Sequence, residues 1–279
     1  FSKQLGEEVE IEKGLVKPFL MGKDVHRYET VTAKNVVIFP YQTLFNKAEL
    51  MSQSYIRQMY PLGWQYLKLN EHALAEREHG KMRGQHFYAY IYPKNLTEFE
   101  TVKIMTPEIA LGCQMTLDSQ GIYYHTTKVY SFVFKDSVKQ SSKYLLGLLN
   151  SKVLWFFLSS TGYVLRGGYY TFKTDYLKPF PIAESRPEQE QAVATLVDYV
   201  LYLKALPEPN NREEAAHQRL MTAYFEQLID ALVYEIYFPE EFQDAEKSIS
   251  RLLTPDSIPP LEKNATENLA YLQQCFQKI

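Results

Sequence analysis

A short segment in the second half of the chain combines positive charge, backbone freedom and aromatic rings. Residues 164–176 read VLRGGYYTFKTDY. The residues in it that could bind a ligand are Arg166, Gly167, Gly168, Tyr169 and Lys173. Two glycines have no Cβ atoms to hold a ligand away from the backbone and leave their N–H groups free to donate, and the arginine beside them offers a bidentate fork that matches a phosphate. The segment therefore indicates phosphate binding, with the lysine as a second point charge.

The aromatic residues of this segment allow a second interpretation. Tyr170, Phe172 and Tyr176 alternate with other residues at spacings of two and four, so they could form the inward face of a strand and its continuation. In that case only Arg166 and the two glycines lie at the surface. If the rings are exposed instead, they could stack on a flat ligand, and their phenols could donate to a phosphate. Both interpretations stay open for the aromatic residues.

Two further basic segments lie earlier in the chain. Their cationic residues are Lys23 and Arg27 in the first, and Lys81 and Arg83 in the second. The first segment, residues 22–28, begins with a glycine that allows close approach to a ligand. The second, residues 79–88, holds its cations between two glycines, as in a loop that could enter a groove. The alternatives are a surface salt bridge between Asp24 and Arg27, and a merely exposed connection around Lys81.

The charges of the chain are unevenly distributed along it, although the net charge is only −3. Residues 1–180 hold 22 Lys and Arg against 16 Asp and Glu, whereas residues 181–279 hold 8 against 17. Like charges repel within a Debye length of about 8–10 Å. We therefore expect only the basic first part to face a polyanion. A solvated charge asymmetry without any partner is the alternative.

The sequence lacks the motifs of common enzyme classes. Its six histidines are scattered, and it contains no HExxH, GxSxG, GxxxxGK[ST] or GxGxxG pattern. The nearest approach to a nuclease-like set of carboxylates is Pro255, Asp256 and Glu262, whose spacing does not suit a divalent ion. We predict neither a catalytic residue nor a metal site within these 279 residues.

Composition restricts the setting of the protein. Hydrophobic residues make up 46% and charged residues 23% of the chain, which is typical of a globular protein, and no apolar run approaches the roughly 20 residues that span a bilayer. Cys113 and Cys275 lie far apart and outside any zinc-binding pattern, so we expect reduced thiols in the cytoplasm. The chain begins with Phe1 and without a secretory leader, so we expect it to be part of a longer protein.

The predicted elements give an α+β fold class. Strands are predicted at residues 36–41, 86–92 and 130–136. Helices are predicted at 47–59 and 70–79, interrupted by Pro61 and Gly63, and a buried helix at 141–161 is predicted to begin with a serine cap. Beyond Pro181, two long amphipathic helices joined by residues 207–211 predict an antiparallel hairpin. We predict a twisted sheet with packed helices over residues 1–183, followed by a helical region over residues 184–279.

Several segments occur in the order expected of one protein family. They are residues 15–29, 36–41, 102–110, 144–158, 166–182 and 225–241. Over nearly its full length the chain resembles the C-terminal target-recognition (specificity) region of type IIG and Eco57I-like restriction-modification enzymes and of related adenine-N6 DNA methyltransferases. This region is also called TaqI-like C-terminal. The catalytic Asn/Asp-Pro-Pro-Tyr motif and the glycine-rich S-adenosylmethionine loop of these enzymes are missing, since residues 39–41 read only FPY.

The resemblance implies sequence-specific recognition of double-stranded DNA. It implies a recognition domain over residues 1–183, a helical spacer over residues 184–279, and an N-terminal methyltransferase domain of the parent chain that binds S-adenosylmethionine. No cofactor is expected in this part. The DNA contacts are assigned to Lys23, Arg27, Lys81, Arg83, Arg166, Gly167, Gly168, Tyr169 and Lys173. Arg166 is predicted to hold a phosphate, and the loop with Lys81 and Arg83 to read bases.

Two other functions stay open from the residues alone. The 22 tyrosines would suit a domain that binds carbohydrate or another small ligand, whose affinity would not depend on salt. The acidic helices would suit a pure interaction module of a defence complex.

Overall fold

The computed structural model describes residues 1–44, 47–262 and 265–278. The strands are β1 (Val16–Leu20), β2 (Asn35–Ile38), β3 (Tyr41–Leu44), β4 (Lys47–Leu50), β5 (Lys103–Pro107), β6 (Ile109–Ala110), β7 (Thr116–Asp118), β8 (Tyr124–His125), β9 (Val129–Val133) and β10 (Tyr170–Thr171). The helices are α1 (Gln53–Met59), α2 (Pro61–Leu69), α3 (Glu71–Ala75), α4 (Arg77–Gly80), α5 (Ser142–Asn150), α6 (Lys152–Thr161), α7 (Thr174–Leu177), α8 (Pro187–Ala205), α9 (Arg212–Tyr237), α10 (Pro239–Asp244) and α11 (Ala265–Lys278). The predicted α+β class is confirmed, with the strands arranged in several small sheets.

The described residues form two compact units. The smaller comprises residues 1–20, 33–101 and 120–125, and the larger comprises residues 21–32, 102–119 and 126–279. This division does not follow residue 183, because α5 packs directly on α8. Where the two meet, a Cβ atom on Gly147 would lie 2.6 Å from the Val193 side chain. The functional division at residue 183 stays a prediction.

In the smaller unit, β1 lies between antiparallel β2 and parallel β8, and β3 pairs with β4 as a hairpin. Two aromatic-rich clusters form its core. One is built around Phe39, Tyr41 and Tyr124, and the other around Ile56 and Phe87. The short helices α1 to α4 follow the hairpin along the chain.

In the larger unit, β5 lies between β7 and β9, and all five of its residues are buried. A buried ion pair joins two of its strands, since Lys103 Nζ lies 2.6 Å from Asp118 Oδ2. The core continues through α5 and α6 into α8 and α9. The predicted helical hairpin is confirmed: Asn211 caps α9, and Gln218 donates to the carbonyl of Leu203 across the pair.

Several predicted elements differ from the observed ones. Residues 86–92, predicted as a strand, form turns. The adjacent Phe87 and Tyr88 are both buried, whereas a strand would point them to opposite faces, and Arg77 donates hydrogen bonds to the carbonyls of Phe87 and Ala89. The predicted helix at 47–59 begins only at Gln53, after strand β4 and a Ser52 cap.

Two helix boundaries also differ from the prediction. Pro61, read as a helix breaker, is the first residue of α2, a position that needs no N–H donor. The predicted helix at 141–161 carries the expected Ser141 cap, but it is divided at Ser151, whose side chain caps α6.

Candidate nucleic-acid interface

A surface pocket of about 430 Å³ in the larger unit brings several of the predicted residues together. Glu108 lines this pocket, and lysines from two other segments, Lys128 and Lys173, pair with its carboxylate. Lys23 and Lys128 line the pocket with Tyr169, and Lys173 pairs with Glu108. His26 and Gln114 also line it. We call these residues the lysine pocket.

The chain places Glu108 rigidly between two neighbouring segments. Glu108 follows the last residue of β5, where Pro107 lies opposite Val129 of β9. Its N–H donates to the carbonyl of Lys128 at 2.9 Å, and its carbonyl accepts from the N–H of Phe172 at 2.7 Å. Both backbone groups of Glu108 are therefore engaged, which fixes the direction of its Cα–Cβ bond.

A close backbone contact positions the segment that carries Lys23. A Cβ atom on Gly22 would lie 2.9 Å from the carbonyl oxygen of Lys128. A larger residue could fit only if one of the two backbones moved. The sequence suggested that Gly22 allows a ligand to approach the backbone. In the structure Gly22 allows close contact with the protein's own backbone at Lys128.

The charges of the lysine pocket partly compensate one another. Lys128 Nζ lies 2.8 Å from one Glu108 oxygen, and Lys173 Nζ lies 3.8 Å from the other. The hydrogen bond with the Glu108 carboxylate raises the pKa of Lys128 above its usual value. Lys23 is exposed, and it has no hydrogen-bond or ion-pair partner among the residues that the structure describes. The pocket therefore keeps positive charge that is available to an anion.

The Gly167–Gly168 turn adjoins this pocket through Tyr169. Both glycines have left-handed φ angles, +86° and +80°, and the turn is closed by hydrogen bonds between Leu165 and Tyr169 and from Gly168 to Leu165. The prediction that both glycine N–H groups are free is therefore wrong for Gly168. Arg166 is exposed at the turn, where no described residue pairs with its guanidinium.

The aromatic residues after the turn divide between surface and core. Tyr169 is exposed and lines the pocket, whereas Phe172 is fully buried in the core. Tyr170 packs edge-on against Trp155, with ring centroids 5.1 Å apart. The inward-facing interpretation is thus the observed one for Tyr170 and Phe172, and Tyr169 is the ring that a ligand could reach.

Arg27 lies in a different environment from Lys23. Its Nε donates to Glu226 of α9 at 2.6 Å, its Nη1 donates to the carbonyl of Asn150, and its guanidinium stacks on Tyr28. Arg27 thus pairs with Glu226 rather than with Asp24, whose carboxylate accepts from the N–H of Met21. Arg27 lines a separate cleft of about 790 Å³. Its contact with DNA stays a prediction.

The predicted loop with Lys81 and Arg83 belongs to the smaller unit. Arg83 donates through Nε and Nη2 to both oxygens of Glu76, at 2.7 and 2.6 Å, and Lys81 lies over the ring of Tyr92. Both side chains are exposed, but the bidentate edge of Arg83 already holds a carboxylate. Base reading by Arg83 stays a prediction, and with the Glu76 pair in place it would use the remaining N–H groups of the guanidinium.

Among the residues of the lysine pocket that were not assigned from the sequence are Glu108, Gln114 and Lys128. A recognisable signal existed, since residues 103–107 and 129–133 both read as strands and an antiparallel pairing places Glu108 beside Lys128. Gln114 carried no such signal. It reaches the pocket only because the chain returns from β6 towards β7.

The described part of the chain contains neither a cluster of metal ligands nor a disulfide. Within residues 1–44, 47–262 and 265–278, no three His, Cys, Asp or Glu side chains are grouped so as to hold a metal ion. Cys113 and Cys275 are buried and unpaired by disulfides, and burial raises the pKa of Cys113 to about 12. None of the helices in these ranges is both long and apolar enough to cross a bilayer.

Comparisons with known proteins match most of the chain. Residues 17–182 match the family model of the TaqI-like C-terminal specificity domain. A type II restriction enzyme and methyltransferase of Escherichia coli, RM.Eco57I, is 21% identical to the chain over 238 residues. The match covers 80% of this chain and 24% of that relative, so the chain spans about a quarter of the length of the relative.

Proposed function

Because the chain belongs to the TaqI-like C-terminal specificity domain family, we propose that it contacts duplex DNA through the lysine pocket and the adjoining Gly167–Gly168 turn. The family resemblance expected from the motifs is confirmed, and with it the function of the chain as a DNA sequence-recognition module of restriction-modification enzymes. The observation that carries the proposal is that Lys23 and Lys128 line one concave surface and that Lys173 pairs with Glu108 of the same surface.

The chemistry of this surface suits the DNA backbone. Each Lys or Arg that neutralises a phosphate releases condensed counterions, which provides affinity and makes it dependent on salt. Lys23 and Arg166 have no described partner to give up, so they can bind phosphates without breaking an ion pair. Gly168 suits close approach, because a Cβ built on it has no neighbour within 4 Å.

The catalytic partner is proposed to lie elsewhere in the parent protein. The relative is both a restriction enzyme and a methyltransferase, and the chain matches about a quarter of it. We infer an adenine-N6 methyltransferase domain on the N-terminal side that binds S-adenosylmethionine. In this proposal the acidic helical hairpin of α8 and α9 faces that domain rather than DNA, because its net charge repels phosphates. A cytoplasmic location is part of the same proposal.

A selection experiment tests whether the chain recognises a DNA sequence. The 279-residue chain is incubated with a pool of random duplexes at moderate salt, and the bound fraction is sequenced over several rounds. We expect one sequence motif to be enriched and the complex to dissociate as salt rises. A carbohydrate-binding or protein-interaction domain would enrich no motif, and that result would contradict the proposal.

Matched lysine variants test where the DNA lies. Lys23→Ala removes an exposed lysine of the pocket, and Lys247→Ala removes an exposed lysine outside it. We expect Lys23→Ala to lower affinity for selected and scrambled duplexes alike and Lys247→Ala to leave both nearly unchanged. Equal behaviour of the two variants would place the DNA on another face.

A further inference from the structure

We propose that Glu108 determines sequence specificity by accepting a hydrogen bond from an exocyclic amino group, cytosine N4 or adenine N6, in the major groove. This inference rests on the proposed function, since it assumes that the lysine pocket faces DNA. It adds a base-reading role for a residue whose charge is opposite to that of its surroundings.

The position of Glu108 suits a reader rather than a mobile surface residue. Its backbone is held on both sides by Lys128 and Phe172, and its side chain is only 14% exposed. The exposed part belongs to the lysine pocket. A base-reading group must be held in a defined direction, because a hydrogen bond weakens steeply when its angle is poor.

A carboxylate among phosphate-binding lysines restricts which group of the DNA can lie beside it, because that group must be a hydrogen-bond donor. It repels phosphate oxygens, and it can only accept hydrogen bonds when ionised. In the major groove the donors are the amino groups of cytosine and adenine, whereas guanine O6 and N7 and thymine O4 are acceptors. Glu108 therefore favours an amino group and disfavours an acceptor at the same place.

The two lysines paired with Glu108 make such a contact compatible with nearby phosphates. Lys128 lies close to one carboxylate oxygen at 2.8 Å, but Lys173 is 3.8 Å from the other. The second oxygen is thus less strongly engaged and is the one available to a base. Both lysines can hold the carboxylate in place or turn to neighbouring phosphates.

The remaining lining of the pocket fits a base edge. Gln114 presents an amide that has no described hydrogen-bond partner, and amides form bidentate contacts with adenine. Ile109 and Leu111 line the same pocket and are 43% and 55% exposed. Apolar side chains of this kind can contact a thymine methyl group. The pocket thus combines an acceptor, an amide and apolar groups.

The test compares wild type with Glu108→Gln in the random-duplex selection described above. We expect the variant to lose discrimination at one position of the motif, by about 5- to 100-fold, while preferences at the other positions persist. Glu240→Gln, an exposed carboxylate of α10, serves as the matched control and should select the wild-type motif.

Base analogues then identify the atom that is read. At the affected position, cytosine is replaced by 2-pyrimidinone or adenine by purine, each of which lacks the amino group. Wild type should lose affinity for the analogue that matches the base read, and Glu108→Ala, which has no side-chain acceptor, should show no further loss. Such coupling between protein and DNA changes would support the contact, because a double-mutant cycle isolates the pairwise interaction.

The outcomes separate this inference from the proposed function. If wild type selects a motif but Glu108→Gln weakens all sequences equally and Glu108→Ala loses as much affinity for the analogue as wild type does, Glu108 only positions lysines and the inference is wrong. If wild type selects no motif, the proposed function itself fails. Should Glu108→Gln unfold, Glu108→Asp provides the same test, because it keeps the charge and withdraws the carboxylate by one methylene.

Discussion

At the scale of single residues, Arg166 beside the Gly167–Gly168 turn differs from other cations of this surface because its guanidinium has no ion-pair partner among the described residues. Most cations near it, such as Lys128 and Lys173, have a carboxylate partner, whereas Arg166 has none in the described part of the chain. A phosphate-binding residue and a base-reading residue differ in what their loss does. Removal of the first weakens all sequences, and removal of the second relaxes one position.

Substitution of Arg166 by alanine should therefore weaken binding similarly on selected and scrambled duplexes. We expect the slope of log affinity against log salt to become shallower by roughly one unit, because one phosphate contact is lost. Titrations at several salt concentrations measure this. A loss confined to the selected sequence would instead identify Arg166 as a base reader.

Two substitutions of Gly168 separate backbone conformation from close approach. Its φ of +80° is unfavourable for a β-branched residue but is tolerated by asparagine. A Cβ there would meet no neighbour in the protein, so neither variant causes an internal clash. We expect Gly168→Val to weaken DNA binding more than Gly168→Asn, with thermal unfolding of the rest of the chain nearly unchanged. Wild-type binding by both variants would show that this turn is an ordinary surface connection.

At the scale of elements, a buried carboxylate attaches the segment after α10 to the helical hairpin. Glu235 of α9 accepts hydrogen bonds from the N–H and hydroxyl of Ser250 at 2.8 and 2.7 Å, and from the hydroxyl of Ser248 at 3.0 Å. Burial raises the pKa of Glu235, but these hydrogen bonds outweigh burial, so the pKa lies below its usual value of 4.5. The carboxylate thus stabilises the folded state in its ionised form.

This linkage predicts how stability depends on pH. Because the pKa is lower in the folded state, the stabilisation is present above pH 4.5 and is lost as pH falls through the folded pKa. Glu235→Gln should lower the free energy of unfolding by about 1.5–3 kcal/mol at pH 7, and the difference from wild type should shrink below pH 4.5. Urea unfolding at several pH values measures both, with Glu240→Gln as the exposed control. A difference that is constant with pH would contradict the assignment.

The elements also show what the sequence could predict. The helices α8 and α9 were predicted from apolar spacing and from the short connection at residues 207–211, which ends at the observed Asn211 cap. Residues 86–92 were misassigned because their aromatic residues resemble a strand. The contacts that hold them in turns come from Arg77, which lies outside that segment and donates to the carbonyls of Phe87 and Ala89. The lysine pocket was only half predicted, since Glu108 and Lys128 meet through strand pairing rather than through sequence proximity.

At the scale of the whole molecule, recognition and catalysis are assigned to different parts of one parent protein. The matched family is a specificity domain, and the sequence contains neither the adenine-gripping motif nor a glycine-rich loop for S-adenosylmethionine. The proposal therefore separates sequence reading from methyl transfer, and any cleavage would also be carried out elsewhere in the parent.

The purified 279-residue chain is accordingly expected to be catalytically silent. We predict that it transfers no methyl group from radiolabelled S-adenosylmethionine to duplex DNA and leaves plasmid DNA intact in the presence of magnesium. The heat-treated chain provides the background in both assays. Methyl transfer above that background would place a catalytic site within these residues.

The salt dependence of duplex binding tests the central claim most directly. Wild type is compared with a triple variant of the DNA-facing cations, Lys23→Ala, Arg166→Ala and Lys173→Ala, and with a control triple variant of exposed lysines outside the pocket, Lys135→Ala, Lys139→Ala and Lys247→Ala. The account predicts that the first variant loses affinity on selected and scrambled duplexes and that its salt slope is shallower by roughly three units, while the control keeps nearly the wild-type slope. Equal slopes for the two triple variants would contradict the placement of DNA on this surface.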